Sequence, residues 1–375
     1  MKDLFPSYYN YLSEQDYEDL WKKGTFIFDT NVLLDFYEFH RETREIFFKA
    51  LEIIKEKDRL WIPHQVLLEY QENRISRIIQ ANSKFDNTKK ELDKITKDTE
   101  ETLLKAFKSQ CYPHEAVEEM IENVKKVFNV FGNKLTSYQE ELIKMDKPDD
   151  IRDKISDLFQ GKIGESFNQD ELNEIYKEGA TRYAKFQPPG FGDIGKDKKK
   201  NPSYLNEGLV YRKAYGDLII WKQILKRVES KALDHIIFIT SDNKEDWWER
   251  EHEKTIGPRR ELTEEILAAG ACKFHMYKAD KFLEWARKTW GLDVKEESIQ
   301  QVKIISESKE TEKEKNQLNL PTASSTKYPC PICKEPASLL MYRGLRSGEP
   351  AIIYDLRCSN CGHRSFSAET ECYAE

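Results

Sequence analysis

The chain has 375 residues, 39% hydrophobic and 34% charged, with a formal net charge of −7. That length holds one large domain, or one large and one small. The negative balance excludes a protein that coats nucleic acid without specificity, but not a local basic groove around an acidic site.

In chain order, residues 1 to 22 predict an amphipathic helix ahead of a short buried strand at 25 to 28. The start, "MKDLFPSYYNYLSEQ", lacks the basic and apolar regions of a signal peptide. From Val32 to Lys57 the pattern is helical, and "RLWIP" then offers a second strand, ended by Pro63. In "HQVLLEYQENRISRIIQ", Val66, Leu67, Tyr70, Ile75 and Ile78 recur at helical spacing. From about 84 to 160 the chain is dense in Lys and Glu, with apolar residues at helical spacing. This predicts two or three long helices, a hairpin or coiled-coil arm, within a helical insertion spanning about 84–208. Residues 186 to 208, "FQPPGFGDIGKDKKKNPSYLNEG", read as a loop.

Helical spacing resumes in "YGDLIIWKQILKRV", and "HIIFITSD" is the clearest strand, a continuous apolar run suited to burial on both faces. A helix at 261 to 269, a strand "CKFHMY" and a helix "ADKFLEWARKTW" follow. Alternating strands and helices predict an α/β sandwich with a mainly parallel sheet. Residues 293–327 contain no aromatic residue and many charges, so they read as a flexible linker. It divides a main domain at 1–292 from a small module at 328–375. No stretch is long and apolar enough to cross a membrane.

Acids recur where strands end. Asp29 follows the apolar run Phe26–Phe28, Asp242 follows "HIIFITS", Asp217 opens the helix of "YGDLIIW", and Glu69 lies in the first turns of the helix after "RLWIP". Each has an ordinary explanation. Asp29, Asp217 and Asp242 suit helix caps, and Glu69 suits solvent or a pair with Arg74. In a parallel sheet, however, strand ends and the helix starts that follow them share one edge, so the four carboxylates converge. Their repulsion is relieved by a divalent cation, and oxygen ligands suit Mg²⁺ or Mn²⁺. His64 is the histidine nearest in sequence to any of these acids, a hydrogen-bonding loop residue by position, which disfavours zinc or iron at this edge.

The ordered pieces "FIFDTNVLLDFY", "IPHQVLLEYQENR", "GKIGESF", "PPGFGD", "YGDLIIWKQIL", "FITSDNKEDWW" and "GPRRELTEEI" cover most of residues 5 to 290. In these the chain resembles the PIN-domain nuclease superfamily, and more closely its bacterial PIN-like branch. The resemblance implies a PIN-like α/β/α fold and Mg²⁺- or Mn²⁺-dependent phosphodiester hydrolysis, with Asp29, Glu69, Asp217 and Asp242 as catalytic metal ligands. It also implies Asn31 as a supporting polar residue and Asp246 as an accessory ligand. The substrate implied is nucleic acid, RNA ahead of structure-specific or single-stranded DNA. About 150 residues separate Glu69 from Asp217, more than in compact members, so the insertion could arch over the groove. A non-catalytic scaffold remains a rival reading, as does a toxin or phage-defence effector held by a regulatory protein partner.

For backbone contact, Arg182, Lys185, Lys196, Lys198, Lys199 and Lys200 interleave with Tyr183, Phe186 and Phe191, a combination that suits single strands, or else a solubilising loop. Lys244 is tied by position to the acid edge, and Arg74, Arg259 and Arg260 are further candidates. Near the C-terminus, "YPCPICKEP" and "LRCSNCGHRSF" place Cys330, Cys333, Cys358 and Cys361 in two C-x-x-C pairs 24 residues apart. Four thiolates so spaced predict a structural zinc in a zinc ribbon, with His363 and Cys372 spare and Cys111 and Cys272 isolated. Arg343, Arg346, Arg357 and Arg364 offer the module a nucleic-acid contact, a protein partner being the alternative. Cysteines so placed fit a reducing, cytoplasmic compartment.

Overall fold

The computed structural model describes residues 1, 12–108, 114–198, 201–230, 233–252 and 254–318. In the C-terminal part it describes 327–329, 333, 336–346, 349–357, 360–361 and 364–370. The chain divides into two compact units, Met1–Ile305 and Ser306–Glu375.

The first unit begins with α1 (Glu14–Lys23), fixed at its start by a capping box between Ser13 and Asp16. Strand β1 (Thr25–Phe28) leads into α2 (Thr30–Asp35), and α3 (Arg41–Glu56) follows. The predicted continuous helix from Val32 to Lys57 is therefore broken near Phe36–His40. The "RLWIP" segment is extended but not a regular strand. Phe26 N–H donates to Arg59 O (2.8 Å) and Trp61 N–H to Phe26 O (3.3 Å), and Ile62 bridges Ile163 on its other side.

Helix α4 (His64–Lys108) is 45 residues long, and α5 (His114–Glu140) runs back along it. Lys89 bonds Gln139 (2.7 Å) and Lys125 pairs with Glu100 (2.7 Å), which fixes the two helices as an antiparallel hairpin. The arm is thus the continuation of the helix that carries Glu69. At its base Asn82 Nδ2 donates to Ile143 O (2.9 Å).

The expected insertion at 84–208 narrows to this hairpin. Helix α6 (Asp150–Phe159) returns to the body, burying Ile151, Ile155, Leu158 and Phe159 in the same core as β1. Helix α7 (Gln169–Ala184) starts at an Asn168–Glu171 capping box. It packs with a short 3-10 segment (Phe191–Lys198) and the β2 (Ser203–Asn206) and β3 (Leu209–Arg212) hairpin. The sequence reading gave a loop here. The hairpin is closed instead by Glu207 and Gly208 at φ +48° and +82°, the left-handed pair that a tight two-residue turn requires.

Helix α8 (Gly216–Glu229) precedes β4 (His235–Thr240), and a β5 (Trp248–Glu251) and β6 (Lys254–Pro258) hairpin follows. Helix α9 (Arg260–Ala268), β7 (Lys273–Lys278) and α10 (Ala279–Trp290) complete the alternation. The main sheet is parallel, in order β1-β4-β7, with Phe28 opposite Ile239 and Ile239 opposite Tyr277. Phe26–Phe28 and Ile236–Ile239 are fully buried, as expected of strands covered on both faces.

Helix α11 (Glu296–Leu318) stands where a flexible linker was expected. Val294, Ile299 and Val302 are buried in the main core, and this apolar stripe inside a highly charged segment escapes a reading based on composition. In the second unit, β8 (Lys327–Pro329), β9 (Pro336–Arg346), β10 (Glu349–Arg357) and β11 (Arg364–Thr370) form an antiparallel sheet in order β11-β10-β9-β8. Among the described residues, no helix is long and apolar enough to cross a membrane.

Candidate functional site

The site lies at the carboxyl edge of the parallel sheet, and a chain of hydrogen bonds links all four predicted acids. Asp29 follows β1 directly, with its N–H on Ile239 O (2.9 Å), and caps α2 by accepting from Thr30 N–H at 2.7 Å. Its second oxygen accepts from Thr240 Oγ1 (2.7 Å) and Asn31 Nδ2 (2.5 Å). Asn31 in turn accepts from Ser241 N–H (2.8 Å), so it staples the exits of β1 and β4 together. Thr240 Oγ1 also accepts from Asp242 N–H (3.0 Å), and Thr30 Oγ1 donates to Glu69 (3.3 Å). Asp29 is thus both the cap and a member of the cluster, and the two readings of it coincide.

Glu69 is held from α4 itself by Gln65 Nε2 (2.8 Å). Gly216 explains how Asp217 comes beside it. A Cβ at position 216 would sit 2.2 Å from Glu69 Oε1, so any larger residue at the start of α8 would push the Glu69 carboxylate out of this place. Lys244 occupies the middle of the remaining acids, with Nζ 3.1 Å from Asp193, 3.3 Å from Asp217 and 3.1 Å from Asp242. Trp247 Nε1 also reaches Asp217 (3.4 Å), and Trp247 is otherwise buried in the core. Asp246 is fully buried. One of its oxygens accepts from Gly192 N–H (3.2 Å), and the other has no hydrogen-bond partner.

The electrostatics follow from crowding. Burial, then the neighbouring Asp217, Asp242 and Glu69, push Asp29 up to about 8, with Thr240 opposing. Burial and Asp217 likewise raise Asp246 to about 7 and Glu69 above its usual range. Asp217 goes the other way: burial alone would raise it, but Lys244 and Lys196 outweigh that and hold it low. Burial would lower Lys244, yet the surrounding carboxylates keep it well above the ordinary lysine value.

Not every expected residue comes to this edge. Arg74 forms an ion pair with Asp149, beside the hydroxyls of Tyr37 and Tyr70. Arg182 is buried and bonds Glu265 (2.7 Å) and Pro188 O, so its guanidinium braces the loop after α7 instead of meeting solvent. Both were read as backbone contacts because a charge in sequence does not show its partner, here 75 and 83 residues away. Lys185 is exposed, Lys196 pairs with Asp193, and Lys198 ends the 3-10 segment. Lys199 and Lys200 lie outside the described residues. Arg259 pairs with Glu261 (2.6 Å), and Arg260 with Glu264 (3.4 Å). His64 opens α4 instead of lying in a loop, and its Nδ1 is buried without a hydrogen-bond partner.

Asp193, Thr30, Thr240 and Gln65 are contributors absent from the sequence-based candidates. Asp193 lies within "PPGFGD", where an acid close behind two glycines was the available signal. Thr240 and Gln65 gave none, being a strand threonine and a helix glutamine until their partners are placed. In the second unit, Cys330, Cys358, His363 and Cys372 lie outside the described residues, as does Cys111 of the first. Asn360 Nδ2 stands 3.8 Å from Cys333 Sγ, beside the turn that holds Cys361.

The structure is thus a parallel α/β sheet with acids gathered at its carboxyl edge. A family model described as a PIN like domain matches residues 25–262, well over half of the chain. The protein belongs to the PIN-like domain family, whose members are commonly nucleases. Comparison with curated proteins and with solved structures gives no match.

Proposed function

We propose that this chain is a metal-dependent endonuclease that hydrolyses phosphodiester bonds in RNA. The observation that carries the reading is the surplus of acid at the sheet edge. Asp193, Asp217 and Asp242 share Lys244, Asp29, Glu69 and Asp246 stand against these acids, and one Asp246 oxygen stays unpartnered in the interior. Such an all-oxygen donor set fits Mg²⁺ or Mn²⁺, with Asp29, Glu69, Asp217 and Asp242 as the ligands and Asp246 in an accessory place. A divalent cation there supplies Lewis acidity and a hydroxide nucleophile at neutral pH.

The chain's own residues do the rest. Thr30, Asn31 and Thr240 aim the Asp29 oxygens, and Gln65 with Thr30 aims those of Glu69. Lys244 neutralises the edge and offers an ammonium to the substrate phosphate. The test is cleavage of labelled single-stranded RNA, with DNA alongside, in Mn²⁺, Mg²⁺ or EDTA. Asp29→Asn is expected to lower metal-dependent cleavage by more than about a hundredfold, since even residues behind a metal ligand matter by 10–100-fold. Equal cutting by both proteins would refute the site.

For the second unit we propose a structural zinc on Cys330, Cys333, Cys358 and Cys361. The spacing of the two pairs supports it, and so does the nearness of Cys333 to the turn of Cys361. Elemental analysis should find one zinc per chain, lost in Cys361→Ser; its retention there would count against this ligand set.

A further inference from the structure

Three aromatic residues border the acid edge in sequence, and the structure separates them. Tyr183 is buried and stacks on Tyr215 (5.3 Å), and Phe191 is half-buried. Phe186 is 70% exposed, against 49% for Phe131 and 42% for Tyr138. It also adopts φ +54°, a left-handed conformation that is uncommon for a bulky residue and that clusters at functional sites.

This is not a loose loop tip. Phe186 N–H donates to Tyr183 O (3.2 Å) and Gln187 N–H to Arg182 O (2.9 Å). The Gln187 side chain bonds Glu265 (2.9 Å), and the buried Arg182 holds Pro188 O. On the far side Gly190 lies against Asp217, and Gly192 N–H bonds Asp246 (3.2 Å). The backbone from 186 to 192 is therefore anchored at both ends, and the second anchor is the acid site itself. The Phe191 ring meets Phe186 edge-on (5.8 Å, 80°), leaving the remaining surface of Phe186 open. Cations lie nearby in the chain and fold: Lys185 is its exposed sequence neighbour, and Arg259 lies 6.0 Å from the Phe191 ring that Phe186 meets.

We propose that Phe186 is a stacking platform for one unpaired base of a single-stranded RNA whose phosphate backbone crosses the acid edge. A fixed aromatic with cations beside it is what sequence-tolerant single-strand binding uses, and a base inside a duplex has no free face to offer. This rests on the nuclease reading for its polymer and assigns the strandedness, which that reading left open.

The experiment uses the full chain carrying Asp29→Asn, so that binding is read without cleavage. The probe is single-stranded RNA containing 2-aminopurine, with the same sequence as a duplex for comparison. The parent should quench 2-aminopurine and prefer the single strand. Phe186→Ala should lose the quench and bind the single strand from about fivefold to a hundredfold more weakly, leaving the weaker duplex binding unchanged, whereas Phe186→Trp should retain both. Phe186→Ala quenching and binding like the parent would overturn the proposal, as would a parent that binds no RNA. The two readings fail separately. Metal-dependent cleavage with no effect of Phe186→Ala removes the platform alone. Phe186-dependent quenching in a chain that never cuts removes the nuclease alone.

Discussion

The two edges of the parallel sheet treat charge in opposite ways. At the amino edge lysines meet acids. Lys273 lies between Asp16 (2.6 Å) and Asp19 (3.3 Å), and Lys162 pairs with Asp58. The Arg59 guanidinium donates to Trp21 O (2.6 Å). Hydrogen bonds from Lys273 hold Asp16 and Asp19 below the ordinary carboxylate range. At the carboxyl edge Asp193, Asp217 and Asp242 share Lys244, and Asp29 and Asp246 are pushed upward instead. Folding alone favours the first arrangement. The second keeps a like-charge conflict in a partly buried place, and such a conflict is a mark of a site built to bind something of the missing sign.

The comparison can be broken at Lys244, where the largest effect is expected. Its side chain is only 23% exposed and neutralises three acids, so Lys244→Met should cost about 3–5 kcal/mol in the metal-free protein. Mn²⁺ should recover most of that loss, because the cation replaces the missing charge. Calorimetric melting with and without Mn²⁺ checks this, and a variant that Mn²⁺ leaves unchanged would mean that the edge holds no cation.

Gly216→Ala sharpens the same point without touching a charge. The added methyl meets Glu69 Oε1 and forces that carboxylate to shift, at a stability cost of about 1 kcal/mol. Displacement of Glu69 should lower cleavage more than that stability loss explains, which kcat measured well below the melting temperature would show.

How far the sequence reached follows the same division. β1 and β4 were legible as short apolar runs, and Asp29 and Asp242 as acids just behind them. Local pattern sufficed because burial on both faces leaves no polar position until the strand ends. What failed depended on distant partners. Arg74 and Arg182 looked free until Asp149 and Glu265 came to them, and α11 looked like a linker until Ile299 and Val302 found the core. Gly216 gave no signal either, because its reason is a carboxylate 147 residues earlier. The arm was legible as helices but not as one helix with Glu69, since nothing in α4 marks where the core ends and the hairpin begins.

Titration of the chain with Mn²⁺ across a pH series tests the central claim most directly. Asp29 is raised from 3.8 to about 8 in the folded chain. The stability contributed by its bound proton is present in acid and is lost as pH rises through that window, so the metal-free melting temperature should fall over the same range. Metal must displace that proton, so Mn²⁺ affinity should strengthen as pH rises through about 8. It should be greatly weakened in Asp29→Asn. Mn²⁺ binding that is absent, or that is the same in Asp29→Asn at every pH, would contradict the account.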